Sequence, residues 1–257
     1  MGLLAALRFL TVIPTFSRRE DSPAEMGQAV VYYPVAGLAI GLVLAGLNWL
    51  FGLFLPSEVA NILLIVALVM ISGALHLDGF VDTFDGIAGH KPVEARLQVM
   101  RDSRVGAFGV VGVVLLLLVK YVSLNSLPGA LLMVSLVLMP LISRWTMVYA
   151  LFAYPYARPD GLGKALKQGT GWSRFIIATA VTLAFTVGLA WLAGMTYFYL
   201  VGPAIMLGSW VVIVGVAGYL KGKFAGLTGD TYGAINEIAE VGVLILISLL
   251  AHNDWLL

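Results

Sequence analysis

The chain has no cysteine, which excludes disulfides, thiolate metal sites and a cysteine nucleophile and leaves the redox compartment open. Charge is scarce as well. Only 11% of the 257 residues are Asp, Glu, Lys or Arg, against about a quarter in a soluble domain. The net charge of +1 points to no partner by itself, and no nucleic-acid partner is expected. What fills the chain instead is apolar: 60% of residues are hydrophobic and 29 are glycine, with a mean hydropathy of +0.97. Such a composition predicts an all-α polytopic membrane protein, a class in which glycine is more frequent than in soluble helices. The opening MGLLAALRFLTVIPTFSRRE lacks the layout of a secretory signal, because Arg8 interrupts the apolar stretch and the basic pair follows it.

The apolar runs predict about seven spans, near residues 28–55, 58–76, 105–125, 129–150, 174–193, 197–219 and 238–252. They are preceded by a short interfacial or re-entrant helix, too short for the ~20 residues a span needs, with Leu3, Leu7 and Leu10 on one face and a stop at Pro14. A polar patch from Ser17 to Glu25 follows it, with Arg18 and Arg19. In the first span Gly37 and Gly41 form a small-xxx-small pair, either a packing surface or chance in a glycine-rich run. Polar loops near 77–104, 153–174 and 220–240 share a side with the N-terminus and carry almost every Lys and Arg. The positive-inside rule therefore puts that side in the cytoplasm. Lys120 and Arg144 fall inside predicted spans, where such side chains are expected to snorkel to an interface. The whole chain, 1–257, reads as a single membrane-embedded domain.

The feature that stands out against so little charge is GALHLDGFVDTFDG, residues 73–86. Asp78, Asp82 and Asp85 are spaced i, i+4 and i+7, so a helix projects all three from one face. Like charges at that spacing repel. Hard carboxylate oxygens suit Mg²⁺ or Mn²⁺, which takes its other ligands from water and substrate phosphates. The competing reading is a solvated helix end, but a cap needs one Asp at the helix start, not three in register. A second acidic face lies in GLTGDTYGAINEIAE, where Asp230, Glu237 and Glu240 are i, i+7 and i+10 and Thr228 or Asp230 is the candidate cap. Arg101, Ser103 and Arg104 in RDSRVGAFG precede a predicted span, where a helix N-terminus and arginine forks suit phosphate oxygens. Flanking charge explains them equally well. Lys164 and Lys167 have the same two readings, and His76 is either a base or ligand or a structural donor. Carboxylates and arginines on one side of a membrane suggest metal-assisted phosphoryl transfer to an alcohol.

Three motifs in order, HLDGFVDTFDG, MRDSRVGAFG and LTGDTYGAINEIAE, together with the N-terminal LRFLTVIP, resemble the cobalamin synthases, the adenosylcobinamide-GDP ribazoletransferases. The resemblance spans nearly the whole chain. It implies a Mg²⁺-dependent enzyme of the prokaryotic cytoplasmic (inner) membrane, with its active site facing the cytoplasm. The implied reaction joins α-ribazole or its 5′-phosphate to adenosylcobinamide-GDP with release of GMP, late in cobalamin assembly. The lipid bilayer is the remaining partner, and a homo-oligomer or a complex with other cobalamin-assembly enzymes stays open. On this reading Asp82, Asp230 and His76 are catalytic. Arg101, Ser103, Arg104 and Lys164 bind phosphate, and Asp78, Asp82, Asp85, Glu237 and Glu240 are the metal candidates.

Two rivals fit less well. CDP-alcohol phosphotransferases carry D-x-x-D-G-x-x-A-R, whose Ala-Arg pair and glycine placement DGFVDTFDG does not match. A cation-coupled transporter keeps its acids near the bilayer midplane, whereas these are predicted at the ends of spans.

Overall fold

In lipid a spanning segment has to satisfy its own backbone N–H and C=O groups, so the apolar runs fold as helices. The structure, a computed structural model, describes residues 2–13, 21–195 and 197–253. It begins with α1 (Gly2–Leu10), α2 (Pro23–Ala29), a 3₁₀ turn (Val30–Tyr32), α3 (Tyr33–Phe51), α4 (Ser57–Ile71), α5 (Leu75–Ile87) and α6 (Val93–Val99). It continues with α7 (Ala107–Asn125), α8 (Gly129–Ala153), α9 (Leu162–Gly169), α10 (Trp172–Leu192), α11 (Phe198–Phe224) and α12 (Gly229–His252). The only extended pairing among the described residues is one parallel bridge, Tyr156 to Leu227. Pro14, Arg18, Arg19 and the end of the tail from residue 254 lie outside the described residues.

Among the described residues six stretches are long and apolar enough to cross a membrane: 23–51, α7, α8, α10, residues 199–224 of α11, and α12. The expected second span is broken. Its two pieces, α4 and α5, meet at an angle of 89°. The cause is local: Gly73 (φ 61°) and Ala74 (φ 56°) are both left-handed. Their N–H groups close back onto Met70 and Val69 carbonyls at 3.1 and 2.9 Å, which ends α4 as a left-handed C-terminal motif does. The aspartate helix α5 thus leaves α4 at a right angle instead of continuing it straight; α5 is not among the stretches long and apolar enough to span by themselves, and the bent pair counted as one broken span makes the seventh.

The last span also differs from expectation. It begins at Gly229, not near 238, so Asp230, Glu237 and Glu240 ride on α12 itself. Thr228 caps it, its hydroxyl accepting from Thr231 N–H at 3.2 Å. α11 runs on to Phe224, leaving Ala225 to Thr228 as the whole connection.

The axis of the bundle is α8, apolar around nearly its whole circumference and buried accordingly. Gly37 and Gly41 of α3 seat against it: a Cβ at Gly41 would lie 2.6 Å from Val137 Cα. The small-xxx-small pair is therefore a packing surface. In α1 the buried face is Ala5, Ala6 and Leu10, rotated from the expected Leu3–Leu7–Leu10 stripe because Leu3 faces outward.

Candidate active site

The two acidic helices meet. α5 and α12 cross backbone against backbone at glycines, which is what lets their carboxylates share one space. A Cβ on Gly79 would stand 2.7 Å from the Asp230 carbonyl oxygen and 2.9 Å from Asp230 Cα. A Cβ on Gly233 would stand 3.0 Å from the His76 carbonyl oxygen. A second junction fixes the start of α12. Ala157 N–H donates to the Leu227 carbonyl and Leu227 N–H to the Pro155 carbonyl, both at 2.8 Å. Gly226, with φ 154°, permits this because a Cβ there would lie 2.9 Å from Ala157 N and the Pro155 carbonyl.

That junction delivers Arg158 to Asp230. Its Nη2 donates to Asp230 Oδ2 at 2.8 Å, and Thr228 Oγ1 reaches the same oxygen at 3.4 Å. Both contacts fall on Oδ2. Asp78 and Asp82 stand near enough to be felt electrostatically. Burial pushes the Asp82 carboxyl up to about 7, and the neighbouring charges of Asp78, Asp230 and Asp85 add to the effect. Beside this group opens a cavity of about 180 Å³ lined by Asp78, Asp230, His76, Tyr232 and apolar side chains.

Several expected members lie elsewhere. Asp85 turns to the start of α7, where its two oxygens accept from Gly106 N–H at 2.7 Å and Gly109 N–H at 2.8 Å. It satisfies the helix N-terminus that was expected to hold phosphate. Glu237 and Glu240 are not at the aspartate site either. Lys120 Nζ donates to Glu237 at 2.6 Å and to Glu240 at 2.5 Å. Arg144 pairs with the other oxygen of Glu240, which also accepts from Asn236 Nδ2 at 3.2 Å. Two cations and two anions neutralise one another inside the bundle, so Lys120 and Arg144 do not snorkel. Having both signs present in otherwise apolar spans was the sequence signal for this network, since a buried charge needs a partner.

Among the phosphate candidates, Ser103 and Arg101 are exposed, and Arg101 acts electrostatically on Tyr156, beside Arg158. Arg104 is tied to Asp102, Nη2 to Oδ2 at 2.6 Å. Lys164, in the first turn of α9, donates to the Pro159 carbonyl of the loop before it at 2.5 Å, and Lys167 to the Phe152 carbonyl at 2.7 Å. Sequence reasoning passed over Arg158, whose only mark was a charge in a polar loop. His76 is buried at 1% exposure with both ring nitrogens unpartnered. It touches the cavity on one side and feels Arg144, Glu240 and Lys120 on the other.

Among the described residues, no three Asp, Glu or His side chains stand close enough to chelate a metal by themselves. Mg²⁺ does not require that. It is commonly held by one or two carboxylates, with waters and substrate phosphates completing its shell. The pair Asp78 and Asp82, one turn apart with like charges that repel, fits such an ion.

Residues 2–248 match the family described as cobalamin-5-phosphate synthase. Curated relatives include the adenosylcobinamide-GDP ribazoletransferase of Desulforamulus reducens, 36% identical over 249 residues that make 96% of each chain. The proteins of the same name from Geotalea daltonii and Roseiflexus sp. are 37% and 35% identical, over 96% of this chain and 95% and 88% of theirs. No solved structure matches the chain.

Proposed function

The chain belongs to the cobalamin-5-phosphate synthase family, and from that premise we propose how the α5–α12 site joins ribazole to adenosylcobinamide-GDP. The observation that carries this reading is the glycine crossing, which sets α5 against Asp230, so that Asp78 and Asp230 line one cavity, Asp82 feels both of their charges and Arg158 pairs with Asp230.

The 3′-hydroxyl oxygen of α-ribazole, or of its 5′-phosphate, attacks the phosphorus nearer the cobinamide. A new O–P bond forms, the bridging P–O bond to GMP breaks, and the hydroxyl proton passes to a carboxylate. Asp230 is the acceptor. Arg158 and Thr228 engage its Oδ2, which orients the carboxylate and leaves Oδ1 to the substrate hydroxyl. Arg158 keeps part of its side chain exposed, 15%, and offers that edge of its guanidinium to diphosphate oxygens while holding Asp230. Arg101 supplies a second positive charge on the same side. Asp78 and Asp82 would hold Mg²⁺, which when bound offsets the charge developing on the phosphates. Asp85, Glu237 and Glu240 hold the helices in place without touching the substrate.

The enzyme resides in the cytoplasmic membrane of a prokaryote with this site on the cytoplasmic side. The support is the distribution of Lys and Arg, which gathers on the face that carries the start of α12. The test is purified protein in lipid with adenosylcobinamide-GDP, α-ribazole or its 5′-phosphate, and Mg²⁺, with GMP measured. Release of GMP is expected with one ribazole form or both, and its loss in folded Asp82→Ala. Folded protein that releases none with either form overturns the reaction, and near-normal turnover of Asp82→Ala overturns the metal assignment.

A further inference from the structure

The cavity beside Asp230 has a chemistry of its own. Its walls are Phe9, Leu75, Met147, Leu162 and Leu166, drawn from α1, α5, α8 and α9. Two polar side chains that also line it have no partner in the protein: His76, at both ring nitrogens, and Tyr232, at its hydroxyl. Both are buried, at 1% and 2% exposure. Buried polar atoms without partners are costly, and a native fold keeps them where something else arrives to satisfy them. Asp78 and Asp230 line the same cavity. An apolar pocket with a few convergent polar groups is the common form of a small-molecule site.

We propose that this cavity takes the aromatic base of the ribazole substrate, base inward, so that the attached ribose lies against Asp78 and Asp230. This rests on the reaction proposed above and adds which substrate occupies which part of the site. Size supports it. About 180 Å³ falls below the ~300–1,000 Å³ of pockets that enclose a whole drug-sized ligand. It admits a bicyclic ring and excludes a corrin macrocycle. Polarity supports the ribazole base over guanine. Guanine carries donors and acceptors around most of its edge, more than the two unpartnered side chains at the inner wall, His76 and Tyr232, satisfy. A benzimidazole-type ring is apolar apart from one free ring nitrogen, which accepts from the Tyr232 hydroxyl or from a His76 N–H. The diphosphate of the other substrate then approaches from the exposed side, where Arg101 and Arg158 stand.

The test uses the full protein in lipid nanodiscs and two readouts: calorimetric binding of α-ribazole alone, and the KM for each substrate from GMP release. Leu162 is 40% exposed and accommodates a larger side chain at the cavity wall without overpacking the core. Leu162→Trp is expected to weaken α-ribazole binding and raise its KM at least tenfold, with the KM for adenosylcobinamide-GDP within twofold of wild type. Tyr232→Phe preserves shape and removes only the hydroxyl. It is expected to weaken α-ribazole by ~3- to 10-fold, as one lost hydrogen bond does, with the other KM unmoved. The proposal is overturned if Leu162→Trp leaves α-ribazole binding and KM unchanged, or if it raises the adenosylcobinamide-GDP KM as much or more. Wild-type protein that binds α-ribazole in a Leu162→Trp-sensitive way but releases no GMP would defeat the reaction and leave the base site standing.

Discussion

Gly79→Ala is the sharpest perturbation of the site, because it adds one methyl group where two helices touch. The added Cβ would lie 2.7 Å from the Asp230 carbonyl oxygen and 2.9 Å from its Cα, where ordinary contact begins at 3.4 Å. The atoms it meets are backbone and do not rotate away, so α5 and the start of α12 must part by about 0.7 Å, the shortfall of 2.7 from 3.4 Å. Stability is expected to change little. Overpacking costs about 1–3 kcal/mol, and alanine in place of glycine inside a helix returns about 0.8–1 kcal/mol. Turnover is the sensitive quantity, since a displacement near 1 Å costs on the order of 10²-fold. A 10- to 100-fold loss of GMP release is expected, with an unfolding midpoint within a few degrees of wild type. Mn²⁺ affinity should be nearly unchanged, because Asp78 and Asp82 sit together on α5. Gly215→Ala, at a position with nothing within 4 Å, is the control and should turn over normally. Gly79→Ala turnover within twofold of wild type would refute the claim that the glycine crossing assembles the site.

Lys120→Met leaves Glu237 and Glu240 with Arg144 as their one remaining cation among these four groups. Breaking such a buried pair costs about 3–5 kcal/mol, so the variant should lose much of its thermal stability in detergent, and Lys120→Met with Glu237→Met should regain most of it; a single variant as stable as wild type would count against the network. Asp85→Ala frees two helix N–H groups and should destabilise by about 1–3 kcal/mol while leaving the Mn²⁺ Kd unchanged, whereas a tenfold weaker Kd would return Asp85 to the metal site. Asp82, with its carboxyl pushed up to about 7 by burial and then by Asp78, keeps a proton below that pH which a bound cation must displace. Mn²⁺ affinity should therefore fall as pH drops below 7, by up to about tenfold per unit, with proton release on binding. An affinity that is flat from pH 5.5 to 8 would contradict this.

Asp85 and Glu240 show where reading the sequence stops. Each shares a helical face with a residue of the proposed site: Asp85 with Asp82, Glu240 with Asp230. Spacing along a helix groups them correctly and says nothing of what stands opposite. For Asp85 that is the amide edge of α7. For Glu240 it is Lys120 and Arg144, which are 120 and 96 residues away in the chain. Arg158 escaped notice for the same reason, since its partner Asp230 is 72 residues on. His76 needed burial as well as position, because an unpartnered imidazole looks like any other until its surroundings are known. The break after Ile71 lay between these extremes: Gly73 was visible, but Ala74 in the left-handed region was not.

Hydropathy and helical periodicity are properties of neighbouring residues, so the sequence by itself determined that the chain is a helical membrane protein. It also set which side gathers its charge and that a helix bearing three aspartates lies at a bundle end. The ordered motifs added the family. Which carboxylates share one space was decided only by the tertiary structure. A carboxylate becomes a ligand, a base, a helix cap or half of an ion pair according to the group brought against it. Here that depended on two glycine contacts between helices about 150 residues apart, Gly79 at Asp230 and Gly233 at His76.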